Sequence, residues 1–186
     1  MSRIRALAGL IASAGVTASL LLGAATANAT PAAPASPAAA NDPAVVAQHI
    51  TTENQTLVPS LLARGGKVTA DKRFVVMPDH TQVSLAPMQL SDCPTGWVCL
   101  FESANWTGRL LKWSDPGTRA DLSSYGFNDQ MTSWANKGPY DAAWFYNAGF
   151  SGTGRCMQPN STSSYVGATD NDKASSFAIY TDSLAC

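Results

Sequence analysis

Histidine is almost missing from this 186-residue chain, which has only His49 and His80. Neither has a serine or cysteine nucleophile set beside it, so nucleophilic catalysis of the triad kind finds no support. Charge is sparse as well: 13% of residues are charged, with 12 basic against 13 acidic, for a net of −1. No Lys/Arg cluster stands out, which disfavours nucleic acid or an anionic membrane as a partner. Beyond Leu22 no segment is apolar for long enough to cross a bilayer. Beyond Cys93 no stretch carries a convincing helical period. Asp115, Asp121 and Asp141 could supply an acid/base pair, but spacing does not separate them from ordinary surface acids. The expectation is a non-enzymatic protein.

What is present begins with a leader. Arg3 and Arg5 precede an uncharged apolar run from Ala6 to Leu22, and Ala27-Asn28-Ala29 supplies a small-residue cleavage site. Residues 1–29 therefore read as a secretory signal peptide, in preference to a membrane anchor, because the apolar stretch is short and a cleavage site follows. The mature protein is expected to be extracellular, with no membrane association after cleavage. Residues 30–42 are almost all Ala, Pro and Ser, a solvated linker. About 140 residues remain, enough for one domain with a core. The four cysteines, Cys93, Cys99, Cys156 and Cys186, are an even count in an exported chain and favour two disulfides with three possible connectivities. Pro94 and Gly96 let the chain turn back between Cys93 and Cys99, so that pairing is favoured and leaves Cys156 with Cys186. Closing the longer loop contributes roughly 3 kcal/mol if unstrained. Metal ligation by Cys-x5-Cys is the poorer reading, since neither histidine is near a cysteine in sequence.

Residues 43–66 have a helical pattern: Val45, Val46, His49 and Ile50 share a face, and Leu57, Val58, Leu61 and Leu62 repeat it. Pro59 predicts a kink or two short helices, and Gly65-Gly66 a left-handed cap. Phe74–Met77 and Gln82–Leu85 flank a turn and read as a β-hairpin. Residues 43–90 are thus a helix–hairpin extension, or a propeptide cut near Ser91. From 91 to 186, short apolar runs alternate with Gly, Asn, Ser and Pro. The strand candidates are Val98–Glu102, Arg109–Trp113, Thr132–Asn136, Trp144–Tyr146, Arg155–Gln158 and Ser175–Tyr180. The five tryptophans fit a sandwich core better than a carbohydrate-stacking surface, with Trp97 and Trp113 expected to be the most exposed.

Two patterns recur. Asn128-Asp129-Gln130-Met131-Thr132-Ser133 and Asn171-Asp172-Lys173-Ala174-Ser175-Ser176 start 43 residues apart, and Phe101–Gly108 aligns with Phe145–Gly152 at an offset of 44. The same features in the same order mean a duplication, with repeats at about 97–139 and 141–183. The fold class is mainly β, two Greek keys preceded by a short helix and a hairpin.

These motifs resemble the βγ-crystallin superfamily, whose Greek key opens with a glycine-bearing aromatic hairpin and whose microbial members carry an Asn/Asp-Asn/Asp-x-x-Ser/Thr-Ser calcium signature. More narrowly, residues 93–186 resemble the secreted bacterial metallopeptidase inhibitors built on that fold. The Cys93-Pro94-Thr95-Gly96-Trp97-Val98-Cys99 loop and the segments Tyr125–Gln130 and Ser164–Gly167 carry this closer likeness. The resemblance implies a βγ-crystallin-like sandwich and a secreted metallopeptidase as partner, with a monomer assumed. That family's inhibitory loop is a short disulfide-bounded segment of the second half. Here Cys156 and Cys186 are 30 positions apart, so no inhibitory residue is carried over.

Calcium takes hard oxygen ligands. Asp129 and Asp172 offer carboxylates, Thr132 and Ser175 hydroxyls three residues on, and Asn128 and Asn171 amide oxygens or turn geometry. The resemblance implies completion by backbone oxygens near Glu102 and Tyr146. One formal charge per loop predicts low affinity, about 10⁻⁴–10⁻³ M. The alternative for the same residues is Asx-type turns without an ion. The rival functions are a calcium-stabilised extracellular module and a killer-toxin-like cell-wall binder.

Overall fold

The computed structural model describes residues 43–182, and helix side chains from Ala47 onward. The expected signal peptide and linker lie outside this range. So does Cys186, and with it the expected Cys156–Cys186 bridge.

The described chain opens with one α-helix, α1 (Pro43–Ala63). Pro59 neither divides it nor ends it. Pro59 and Gln55, whose carbonyl loses its N–H partner, are both exposed, so solvent can satisfy the freed acceptor. Gly65 takes φ +88°; its N–H donates to Leu62 O and that of Gly66 to Leu61 O, both at 3.0 Å. That pair of bonds is a Schellman cap and accounts for the glycine pair. Ile50 and Leu61 are buried and Leu57 packs on the main core. No helix among the described residues is long and apolar enough to cross a membrane.

Eleven strands follow among the described residues. β1 (Lys67–Val68), β2 (Phe74–Val76) and β3 (Gln82–Ser84) precede the duplicated region. The first copy holds β4 (Val98–Ser103), β5 (Thr107–Trp113), β6 (Arg119–Asp121) and β7 (Ser133–Asn136). The second holds β8 (Ala142–Asn147), β9 (Ser151–Met157), β10 (Ser161–Ser163) and β11 (Ser176–Ile179). Every strand candidate falls on one of these. β1, β6 and β10 escape a pattern search because each is short and none carries an apolar run like that of β2.

The strands form two sheets, ordered β1-β2-β3-β5-β4-β7-β10 and β6-β11-β8-β9. Each copy lends its third strand to the other: β6 pairs with β11, and β10 pairs with β7. The predicted hairpin is β2–β3, with Phe74 opposite Ser84. It is also joined to the duplicated region, because β3 pairs with β5, Val83 lying opposite Leu111.

Between the sheets, the ring of Trp113 stacks on Phe177 with centroids 4.4 Å apart. The Trp113 indole N–H donates to Thr81 Oγ1 at 2.7 Å. Trp113 is thus 1% exposed, against the expectation from its polar neighbours. Strand alternation puts Lys112 on the other face and leaves Trp113 beside Leu111, pointing inward. Trp97 is half-buried. No described tryptophan is exposed.

Candidate functional site

The duplication repeats atom by atom at the folded-over hairpins. In the first copy Asn105 and Trp106 have positive φ, and in the second Gly149 and Phe150 do. Gly108 and Gly152 follow at φ +81° and +77°; a Cβ there would stand 2.8 Å from Ser103 Oγ and 2.7 Å from Asn147 Nδ2. Only glycine fits. Each corner is clamped by the last serine of its motif. Ser133 Oγ donates to Ser103 O at 2.6 Å and accepts from Trp106 N–H at 3.1 Å. Ser176 Oγ does the same with Asn147 O at 2.6 Å and Phe150 N–H at 3.0 Å. Both serines are fully buried. The motif itself was their only signal in the sequence, and it does not distinguish a clamp from a ligand.

The motif loops sit beside these corners. Asp129 and Asp172 both take φ 54°, a left-handed conformation that Asp tolerates. Asn128 Nδ2 donates to Asp129 Oδ2, and Asn171 Nδ2 to Asp172 Oδ2, each at 2.7 Å. The loops also bind each other, Asp129 N–H to Ala174 O at 2.9 Å and Asp172 N–H to Met131 O at 3.2 Å. Ser175 Oγ donates to Asp129 Oδ1 at 3.0 Å. The carboxylate–hydroxyl pairing therefore runs between loops, where the sequence places Asp129 with Thr132 on one ion.

Thr132 N–H bonds Phe101 O at 2.9 Å, and Ser175 N–H bonds Phe145 O at 2.8 Å. The next residues, Glu102 and Tyr146, stand at matching register shifts in the β4–β5 and β8–β9 ladders. Their side chains are engaged elsewhere. Glu102 Oε2 accepts from Arg109 N–H at 3.1 Å, and the Tyr146 hydroxyl donates to Asp170. What these two can offer an ion beside the loops is bulged backbone.

Electrostatically the loops are suited to a cation. Asp172 lies at the surface, yet protein crowding around its carboxyl raises its pKa above the ordinary value, and the Asp129 and Glu102 carboxylates raise it further. Asn171 Oδ1 is buried with no hydrogen-bond partner. An oxygen-preferring ion would relieve both, so the residues fit calcium.

A second polar cluster joins α1 to the first loop. Arg109, 1% exposed, donates through Nη2 to Gly126 O at 2.7 Å and to the side chain of Gln130. Its guanidinium lies 5.3 Å from the Phe127 centroid, and its Nε is 3.6 Å from Glu53 Oε2. Burial, opposed in part by Arg109, raises the Glu53 pKa. An open cavity of about 300 Å³ runs beside it, lined by residues including Glu53, Leu57, Arg64, Arg109 and Ser123. Nothing in the sequence singles out Arg109: alternation in β5 puts it on the inward face with Leu111 and Trp113, but a lone arginine reads as a surface residue.

At the far end of β4, Cys93 and Cys99 are disulfide-bonded with Cα atoms 6.0 Å apart, as expected. Lys137 Nζ donates to Leu90 O at 2.9 Å and Cys93 O at 2.7 Å, and Gly96 N–H bonds Lys137 O at 2.8 Å. The small loop is pinned to the sheet on both sides, with Pro94 and Thr95 exposed at its tip.

Residues 86–158 match the family model for peptidase inhibitor family I36. The matched segment includes the cystine loop, the whole first copy and β8–β9. The resemblance to a peptidase-inhibitor family thus rests on more than the motifs. Among solved structures, a βγ-crystallin domain from Clostridium beijerinckii is 30% identical, with a TM-score of 0.39 over 45% of this chain and 95% of that one. One from Flavobacterium johnsoniae is 25% identical, with a TM-score of 0.40 over 48% and 97%. The βγ-crystallin of Ciona intestinalis is 26% identical, with a TM-score of 0.40 over 45% and 99%. No curated protein matches the chain. Over residues 86–158 the chain is thus peptidase-inhibitor-like.

Proposed function

We propose that this is a secreted inhibitor of metallopeptidases whose fold is stabilised by calcium. The observation that carries the reading is the match of residues 86–158 to peptidase inhibitor family I36. The pinned Cys93–Cys99 loop supports it physically: a segment already fixed by a disulfide and by Lys137 loses little entropy on entering a peptidase cleft. Its exposed Pro94-Thr95 tip is the first place to look for contact with the enzyme.

The cross-loop pairing gives the calcium reading its ligand sets. The Asp129 carboxylate, the Ser175 hydroxyl and backbone near Tyr146 form one, and Asn171 borders it. By the pseudo-symmetry of the copies, the Asp172 carboxylate, the Thr132 hydroxyl and backbone near Glu102 form the other, bordered by Asn128. Calcium there would neutralise the carboxylates and tie the two loops together.

The test is inhibition of a panel of secreted zinc endopeptidases by the purified mature protein with calcium present. Stoichiometric inhibition is expected. If no enzyme is inhibited and the protein survives intact, the inhibitor reading fails. The paired loops would then favour the second reading, a calcium-stabilised extracellular module.

A further inference from the structure

We propose that His49, Glu53 and Glu102 form a binding site for one divalent transition-metal ion of the zinc class, which would staple α1 to β4. His49 and Glu53 are one helical turn apart on α1, so their side chains share a face. Glu102 reaches them from β4. His49 Nε2 lies 3.5 Å from Glu53 Oε1 and 3.3 Å from Glu102 Oε1, and the three ligand atoms all lie within 4.8 Å of one another.

Those separations carry the inference. Charge-assisted hydrogen bonds close to about 2.7–2.9 Å, as His80–Asp115 and Arg73–Asp92 do in this molecule, both at 2.7 Å. The His49 contacts stay open. Zinc bonds to nitrogen and oxygen of about 2.0–2.2 Å in a tetrahedron place neighbouring ligand atoms about 3.3–3.5 Å apart. The imidazole stands off both carboxylates by that edge length.

The outer shell points the same way. Both carboxylates lie between His49 and Arg109, and Glu102 Oε1, the atom facing His49, is also 3.9 Å from the Arg109 guanidinium. Glu53 Oε2 is 3.6 Å from Arg109 Nε, and Glu102 Oε2 accepts from the backbone N–H of Arg109 at 3.1 Å. Arg109 is 1% exposed, and its Nε and Glu53 Oε2 are both buried with no hydrogen-bond partner. Glu53 therefore closes on neither neighbour. Two carboxylates against one guanidinium leave one negative charge, which suits a divalent cation. A nitrogen donor favours zinc-like ions over calcium. The His49 side chain is 58% exposed, which gives an ion a way in and leaves a fourth position to water. The site is separate from the calcium loops in its chemistry: Glu102 gives its carboxylate here and could give only backbone there.

The test titrates the purified full-length secreted protein, saturated with calcium, with zinc chloride in a calorimeter. Cobalt(II) serves as a visible-spectrum probe. One equivalent of zinc with a rise in Tm is expected, and an intense tetrahedral cobalt band. His49→Gln and Glu53→Gln should weaken zinc binding by at least about tenfold. His80→Gln should bind zinc like the parent. Absence of zinc binding to the folded parent overturns the proposal. So does binding unchanged in His49→Gln, whose exposed position leaves folding intact and whose far-UV spectrum checks it.

Discussion

The hydroxyl of Ser175 donates to the carboxylate of Asp129 across 46 positions of sequence. One motif loop thus holds the acid of the other. The Asp129→Ala/Asp172→Ala double variant should lose any calcium-dependent rise in Tm, read by calorimetry with calcium and with chelator. Asp129→Ala alone should disturb both loops, since it also leaves Ser175 without its acceptor. A single variant that lost only half of the calcium effect, with the other half unaltered, would argue for independent sites.

Tyr125 supplies an alkaline signature. Burial, then its hydrogen bond to Asp79, pushes the Tyr125 hydroxyl up to about 12. A raised pKa favours the protonated form in the folded state. Its contribution is complete below the unfolded value near pH 10 and is lost as pH rises toward about 12. Tyr125→Phe should cost about 1 kcal/mol at neutral pH for the lost hydrogen bond. It should also flatten the fall in stability above pH 10, which denaturant titrations at several pH values would show.

Asp170 gives the acid counterpart. Arg155 donates to it through Nε at 2.6 Å and Nη2 at 2.9 Å. That guanidinium foremost, and the Tyr146 hydroxyl after it, hold the Asp170 carboxyl below the usual carboxylate range. A depressed pKa contributes stability above the unfolded value, about 3.9, and loses it as pH falls further. Asp170→Asn should therefore lower Tm at pH 7 and shrink the difference from the parent below pH 3. A difference that grew in acid would contradict the assignment.

Removal of residues 43–90 should unfold the remainder. The cut deletes Leu61, Val75 and Val83, each fully buried, and takes away the Thr81 acceptor of Trp113. Three such side chains are worth on the order of 5 kcal/mol, comparable with the whole stability of a small domain. A chain beginning at Ser91 is expected to show red-shifted tryptophan fluorescence and to aggregate. A native Tm for that chain would mean that 43–90 can be shed as a propeptide.

The strands with four or more residues, the hairpin, the glycine cap and the duplication were all legible in the sequence, because each rests on local pattern. The Cys93–Cys99 loop was legible for the same reason. Trp113 was misread because its neighbours are polar, while its own environment is set by Phe177 and Thr81, both distant in the chain. Of the kink or two short helices expected at Pro59, the division into two helices does not occur, because the exposure that lets the helix carry Pro59 depends on where the domain packs. The motif loops were legible as residue types, but the Asp129–Ser175 pairing was not, since the exchange of β6 and β10 that brings the two together is a property of topology. Arg109 and the His49–Glu53–Glu102 cluster were invisible for a like reason: their meaning comes from α1 lying against β4 and β5.

The exchange of β6 and β10 also bears on how this protein can come apart. Either copy, freed from its partner, would leave a gap in its own sheet and carry one strand with no sheet to join. Neither half is a foldon in its own right. Loss of order should therefore spread through both copies at once, as a single heat-absorption peak, and splitting the chain between Pro139 and Asp141 should yield two fragments that gain structure only when mixed. Here the segment that was duplicated and the segment that folds have different boundaries.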